Sequence, residues 1–144
     1  MNLIIMNKHQ FRLSPFIGSL AIALIIIYGS LSPDTGGKGI LEVLGLDFKH
    51  SDKLLHAGFY FMLAASMYYG FIRQRRFFSR LLIHSYSMLL PAVLGGTIEI
   101  IQWKLIPARH GELADMMVNI LGILIAFLGY RIYKRHFLKK NHEE

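Results

Sequence analysis

The chain is 144 residues long, enough for one domain, and 53% of it is hydrophobic while only 17% is charged, against roughly 25% charged in soluble domains. With a mean hydropathy of +0.41 it carries more apolar surface than one small soluble core can hide, so a bilayer is the expected solvent. The net charge of +7 comes from Lys and Arg in short clusters between apolar runs, a pattern that argues against nucleic acid as a partner, and the lack of cysteine excludes disulfides, thiolate nucleophiles and Cys-ligated zinc.

A helix needs about 20 mostly apolar residues to cross the hydrocarbon core. The first such run covers 13–32, centred on Leu24 to Ile27, with Pro15 in the first turn, where its missing N–H is tolerated. A basic lead and the small residues Ser30 and Ser32 also fit a cleaved secretory signal. The apolar run continues to Leu31, which favours a retained helix. Segment 33–51 opens with the turn-like PDTGGKG and continues as the mildly amphipathic ILEVLGLDF, expected to lie on the outer membrane surface or to cap the bundle. The second run, 54–72, contains His56 as its one ionisable residue.

The third run, 81–103, has His84 near one end, expected to snorkel, and Glu99 near the other. Pro91 and the Gly95-Gly96 pair are expected to bend or loosen it and to free a carbonyl near Ser87. The fourth, 113–133, begins with Asp115 and carries a small-residue stripe, Gly122, Ala126 and Gly129, suited to close helix packing. The terminal KKNHEE is expected to be solvated.

Eleven Lys and Arg precede the first run, separate the second from the third, or follow the fourth, whereas five fall on the other side. Cytoplasmic loops are the ones rich in Lys and Arg. The expected fold is therefore an all-α integral membrane bundle of four transmembrane helices with both termini cytoplasmic.

In that topology the start of the second helix, the end of the third and the start of the fourth share the outer leaflet. Each brings a polar pair at helical spacing: Asp52 and His56, with Lys53 beside them, then Glu99 and Gln102, then Asp115 and Asn119. Arg109 stands in the connecting loop. Ions at membrane depth are costly, so their convergence points to a pocket opening outward. A purely structural network is the plainer possibility, with Lys53 and Arg109 neutralising the acids and the amides tying helices together.

The ordered set Asp52-Lys53-x-x-His56, Glu99-x-x-Gln102, Arg109 and Asp115-x-x-x-Asn119-x-x-Gly122 resembles the VanZ-like family of bacterial membrane proteins. The resemblance runs from the end of the first helix through the fourth, with Ala108 where the family often has Gly. It implies a multi-pass protein of the bacterial cytoplasmic membrane and cell envelope. The family's namesake is linked to resistance to the glycopeptide teicoplanin. Some members carry the label phosphotransbutyrylase, for which no nucleotide or acyl-phosphate motif is present here.

The functional expectation is binding or modification of a lipid-linked or amphiphilic envelope molecule. Lys53, Gln102, Arg109, Asn119 and Asp52 are the candidate binding residues, with Glu99 or Asp115 as general base and His56 as proton partner. No cofactor is expected. A divalent ion on Asp52, His56, Glu99 and Asp115 is a lesser variant, because their spacing matches no established metal signature. The polar cluster is equally compatible with a non-catalytic structural or regulatory membrane partner. Ion conduction is disfavoured by the apolar helix centres.

Overall fold

The computed structural model describes residues 12–32, 45, 51–105 and 113–137. Arg109, Ala108, the amphipathic stretch within 33–50 (Gly45 apart) and the KKNHEE tail lie outside them. The described residues are helical with no strand: a 3-10 turn at Ser14–Phe16, then α1 (Ile17–Leu31), α2 (Ser51–Arg73), α3 (Arg80–Leu105) and α4 (Leu113–Phe137).

Local chemistry sets the helix ends. Pro15 sits in the opening 3-10 turn, where it costs no hydrogen bond. Ser79 caps α3: its hydroxyl accepts from the Leu82 N–H at 3.3 Å and its carbonyl from the Ile83 N–H at 3.0 Å. Asp52 and Asp115 occupy the first turns of α2 and α4, and Lys134, Arg135 and His136 the last turn of α4. Each charge opposes the helix dipole at its end. Helix α3 continues through the buried Pro91 without interruption.

Three segments are long and apolar enough to cross a membrane: Ser14–Leu31, Arg80–Leu105 and Leu113–His136. With 26 residues, α3 is about 39 Å long, more than the roughly 30 Å hydrocarbon core. Their outer faces are apolar: Leu20, Leu24 and Ile25 on α1, Leu89, Leu90 and Val93 on α3, Leu121, Ile125 and Leu128 on α4 are all exposed. Such faces need an apolar solvent.

Helix α2 is not among the three, and its position explains why. It touches every other helix, α4 most extensively. Tyr60, Leu63, Ala64, Met67, Tyr68 and Phe71 are all buried on it. Surrounded by protein, it can carry His56, Ser66 and three tyrosines, Tyr60, Tyr68 and Tyr69, that would be costly against lipid. The Ser66 and Ser19 hydroxyls meet at 3.0 Å between α2 and α1.

The bundle has a core at each level. Toward the Ser51 end, Ile26, Tyr60, Leu63, Ala64, Ile98, Ile123 and Ala126 pack together. Toward the Arg73 end the filling is aromatic, with Tyr68 stacked on Tyr130 at 4.5 Å and Phe71 edge-on to Phe16 and Phe78. At Gly122 the two parallel helices α2 and α4 nearly touch: a Cβ there would overlap the Ala57 carbonyl.

Candidate functional site

The close approach at Gly122 aligns the first turns of α2 and α4 and so builds the site. Lys53 and Asp115, 62 positions apart, meet with Nζ donating to Oδ1 at 3.3 Å. One turn deeper, His56 Nδ1 lies 3.2 Å from Asn119 Oδ1. The register is regular, since 53 and 56 on α2 stand opposite 115 and 119 on α4, and Ala57 and Phe61 stand opposite Gly122.

With its oxygen toward the ring, Asn119 can only accept, so Nδ1 of a neutral His56 carries the proton. That leaves the Nε2 lone pair facing Asp52, whose Oδ1 is 4.0 Å away. Asn119 is 2% exposed, and its amide nitrogen has no hydrogen-bond partner among the described residues. A buried amide donor left unmade costs about 1–3 kcal/mol, which an acceptor oxygen placed beside it would recover.

Helix α3 closes the same end of the bundle. Glu99 and Gln102 are both buried, and Gln102 Nε2 donates to the Ser30 carbonyl at the end of α1, 2.8 Å away. Gly95, one turn before Glu99, lets the Tyr60 ring rest against α3. Tyr60 is fully buried and close enough to Glu99 to feel its charge.

Seven of the eight candidate residues therefore stand at one end of the bundle, and Arg109 lies outside the described residues. Within that end they divide. Asp52, Lys53, His56, Asp115 and Asn119 form one group between α2 and α4, while Gln102 ties α3 to α1 and Glu99 sits with Tyr60. Tyr60 and the Ser30 carbonyl are not among the residues expected from sequence. For Tyr60 a signal existed: Asp52, His56 and Tyr60 recur every four residues on one face.

Asp52, His56 and Asp115 each bring a ligand atom within 4.8 Å of the others. A bound divalent ion needs such atoms roughly 3–4 Å apart and a carboxylate free to turn toward it. Lys53 already places a cation on Asp115, so these side chains would hold an ion only after that pair opened. Glu99 is not part of this trio.

The arrangement is chemically a donor-lined recess with one poised base. Lys53 and the Asn119 amide can donate to a phosphate or carboxylate oxygen, and His56 Nε2 can take a proton from a hydroxyl. Comparisons with protein-family models, curated proteins and solved structures return no match.

Proposed function

We propose that this chain is a VanZ-like protein of the bacterial cytoplasmic membrane, crossing it four times with both termini inside. Its recess opens outward and binds, or modifies, a lipid-linked or amphiphilic molecule of the cell envelope. The observation that carries this reading is the buried Asn119 amide, held by His56 beside the Lys53 ammonium with a donor still to spend. A bundle that needed these groups for cohesion alone would be expected to satisfy that donor internally.

The anionic head of the molecule would lie between Lys53 and Asn119, with Arg109 as a second, bidentate clamp from the loop. Its hydrocarbon part would lie along the apolar outer surface of α3 or α4. His56 is the group best placed to move a proton. Lys53 holds Asp115 as a carboxylate, which makes Asp115 the weaker base and a positioning residue for Lys53.

A structural or regulatory partner is the second reading. It draws support from Lys53–Asp115 and Gln102–Ser30, which join different helices without any ligand.

Native mass spectrometry of gently extracted protein separates the two. The binding reading expects an anionic amphiphile on the wild type that is lost from Asn119→Ala and from His56→Gln while membrane abundance is kept. A bare wild-type protein, together with loss of abundance in both variants, would establish the structural reading instead.

A further inference from the structure

A second recess opens at the other end of the bundle, between α3, α4 and the turn that follows α2. Its volume is about 920 Å³. Helix α3 presents Arg80, His84 and Met88 to it, four residues apart on one face. Helix α4 presents Phe127, Arg131, Lys134 and Arg135, and the turn adds Arg75. Five cations thus converge from three elements, and none of the described lining residues is acidic.

The floor is apolar and rigid. His84 does not snorkel outward: it is half-buried, edge-on to Phe127 at 5.4 Å and to Tyr130 at 5.3 Å, with Nδ1 3.3 Å from the Tyr68 hydroxyl. Arg131 lies over the Phe127 ring, 5.8 Å from its centre, so its guanidinium is held at the rim. Outside the recess, the neighbouring surfaces of α3 and α4 carry exposed Leu82, Leu89, Leu128 and Ile132.

Five like charges around one recess repel each other unless an anion sits among them. At about 39 Å, α3 outruns the hydrocarbon core, which puts Arg80 at headgroup depth. The anion is therefore met together with acyl chains, and the greasy outer faces of α3 and α4 lead straight to the opening. We propose that this recess is a binding site for the phosphate headgroup of an anionic membrane phospholipid. The site is separate from the recess at the Lys53 end and stands or falls independently of it.

The test uses full-length protein in nanodiscs of mixed phosphatidylglycerol and phosphatidylcholine, released for native mass spectrometry. Near a membrane surface each Lys or Arg is worth about 1 kcal/mol toward acidic lipid, so two lost charges correspond to roughly tenfold or more. Wild type is expected to retain phosphatidylglycerol selectively, and Arg80→Gln with Arg131→Gln to lose about tenfold of that selectivity. Arg73→Gln with Arg76→Gln removes equal charge from exposed positions outside the recess and is expected to leave it within about twofold. Equal losses in the two double variants would reduce the effect to general surface attraction and overturn the proposal. Displacement of the lipid by excess inorganic phosphate would also overturn it, by showing a site for the free ion. If the Gln pair does not fold, Arg80→Lys with Arg131→Lys replaces it. That pair keeps the charge but loses the guanidinium fork, and it should still lower selectivity severalfold where Arg73→Lys with Arg76→Lys does not.

Discussion

The Lys53–Asp115 pair is the contact on which the polar end of the bundle turns. The Asp115 side chain is only 13% exposed and that of Lys53 33%. Removing one partner of a fully buried pair costs about 3–5 kcal/mol, because the other charge is left in low dielectric. Here the partly exposed Lys53 reduces that figure, and Asp115 keeps most of it. Lys53→Met should therefore lower the melting temperature in detergent more than the double variant Lys53→Met with Asp115→Asn. A thermodynamic cycle should give a coupling of about 1–3 kcal/mol. Strictly additive losses would mean that the two side chains are adjacent but independent. The pairing itself was only half legible in the sequence. Position marked both residues as charges at one leaflet, but Lys53 had Asp52, Glu99 and Asp115 as possible partners. Only the facing of α2 and α4 selects the last.

Helices, unlike their neighbours, were largely readable. An apolar run of about 20 residues is a strong local signal, and the expected bounds of 81–103 and 113–133 compare with Arg80–Leu105 and Leu113–Phe137. Which helices touch is a long-range property, and the small-residue stripe shows where local reading stops. Gly122, Ala126 and Gly129 look equivalent in sequence. In the fold Gly122 meets the α2 backbone and Ala126 is buried, whereas nothing lies within 4 Å of a Cβ at Gly129. The stacked rings of Tyr68 and Tyr130 hold the helices apart at that level. Gly122→Ala should thus cost about 1–3 kcal/mol as α2 and α4 are pushed apart. Gly129→Ala should be neutral or stabilise by up to about 1 kcal/mol through helix propensity. Thermal melts of the two variants in the same detergent check the contrast, and equal effects would refute the packing argument. His84 was missed for a related reason. Proximity to Arg80 suggested an outward side chain, and the aromatic residues that enclose it come from α2 and α4, far away in sequence.

At the scale of the whole molecule the decisive property is the separation of charge. Among the described residues every acid lies at the Lys53 end, while Arg12, Arg73, Arg75, Arg76, Arg80, Arg131, Lys134 and Arg135 lie at the other. That polarity supports the proposed orientation, because clustered Lys and Arg stay on the cytoplasmic side. The chain has no cysteine, so single cysteines can be introduced without first removing any. A membrane-impermeant thiol reagent added to intact cells should label Leu105→Cys, which is exposed at the end of α3, and leave Arg76→Cys unlabelled until the membrane is permeabilised. The reverse pattern would turn the recess at Lys53 toward the cytoplasm and remove its access to outer-leaflet molecules.

The central place of α2 also has a consequence in time. In the proposed topology α2 leaves the ribosome well before Asp115 and Asn119 have been made, so Lys53 and His56 enter the bilayer without their counterparts. For that interval the least apolar span has no protein wall on its most heavily packed side. Only synthesis of the last helix provides it, which makes α4 the closing step of assembly and the preceding nascent chain its most vulnerable form.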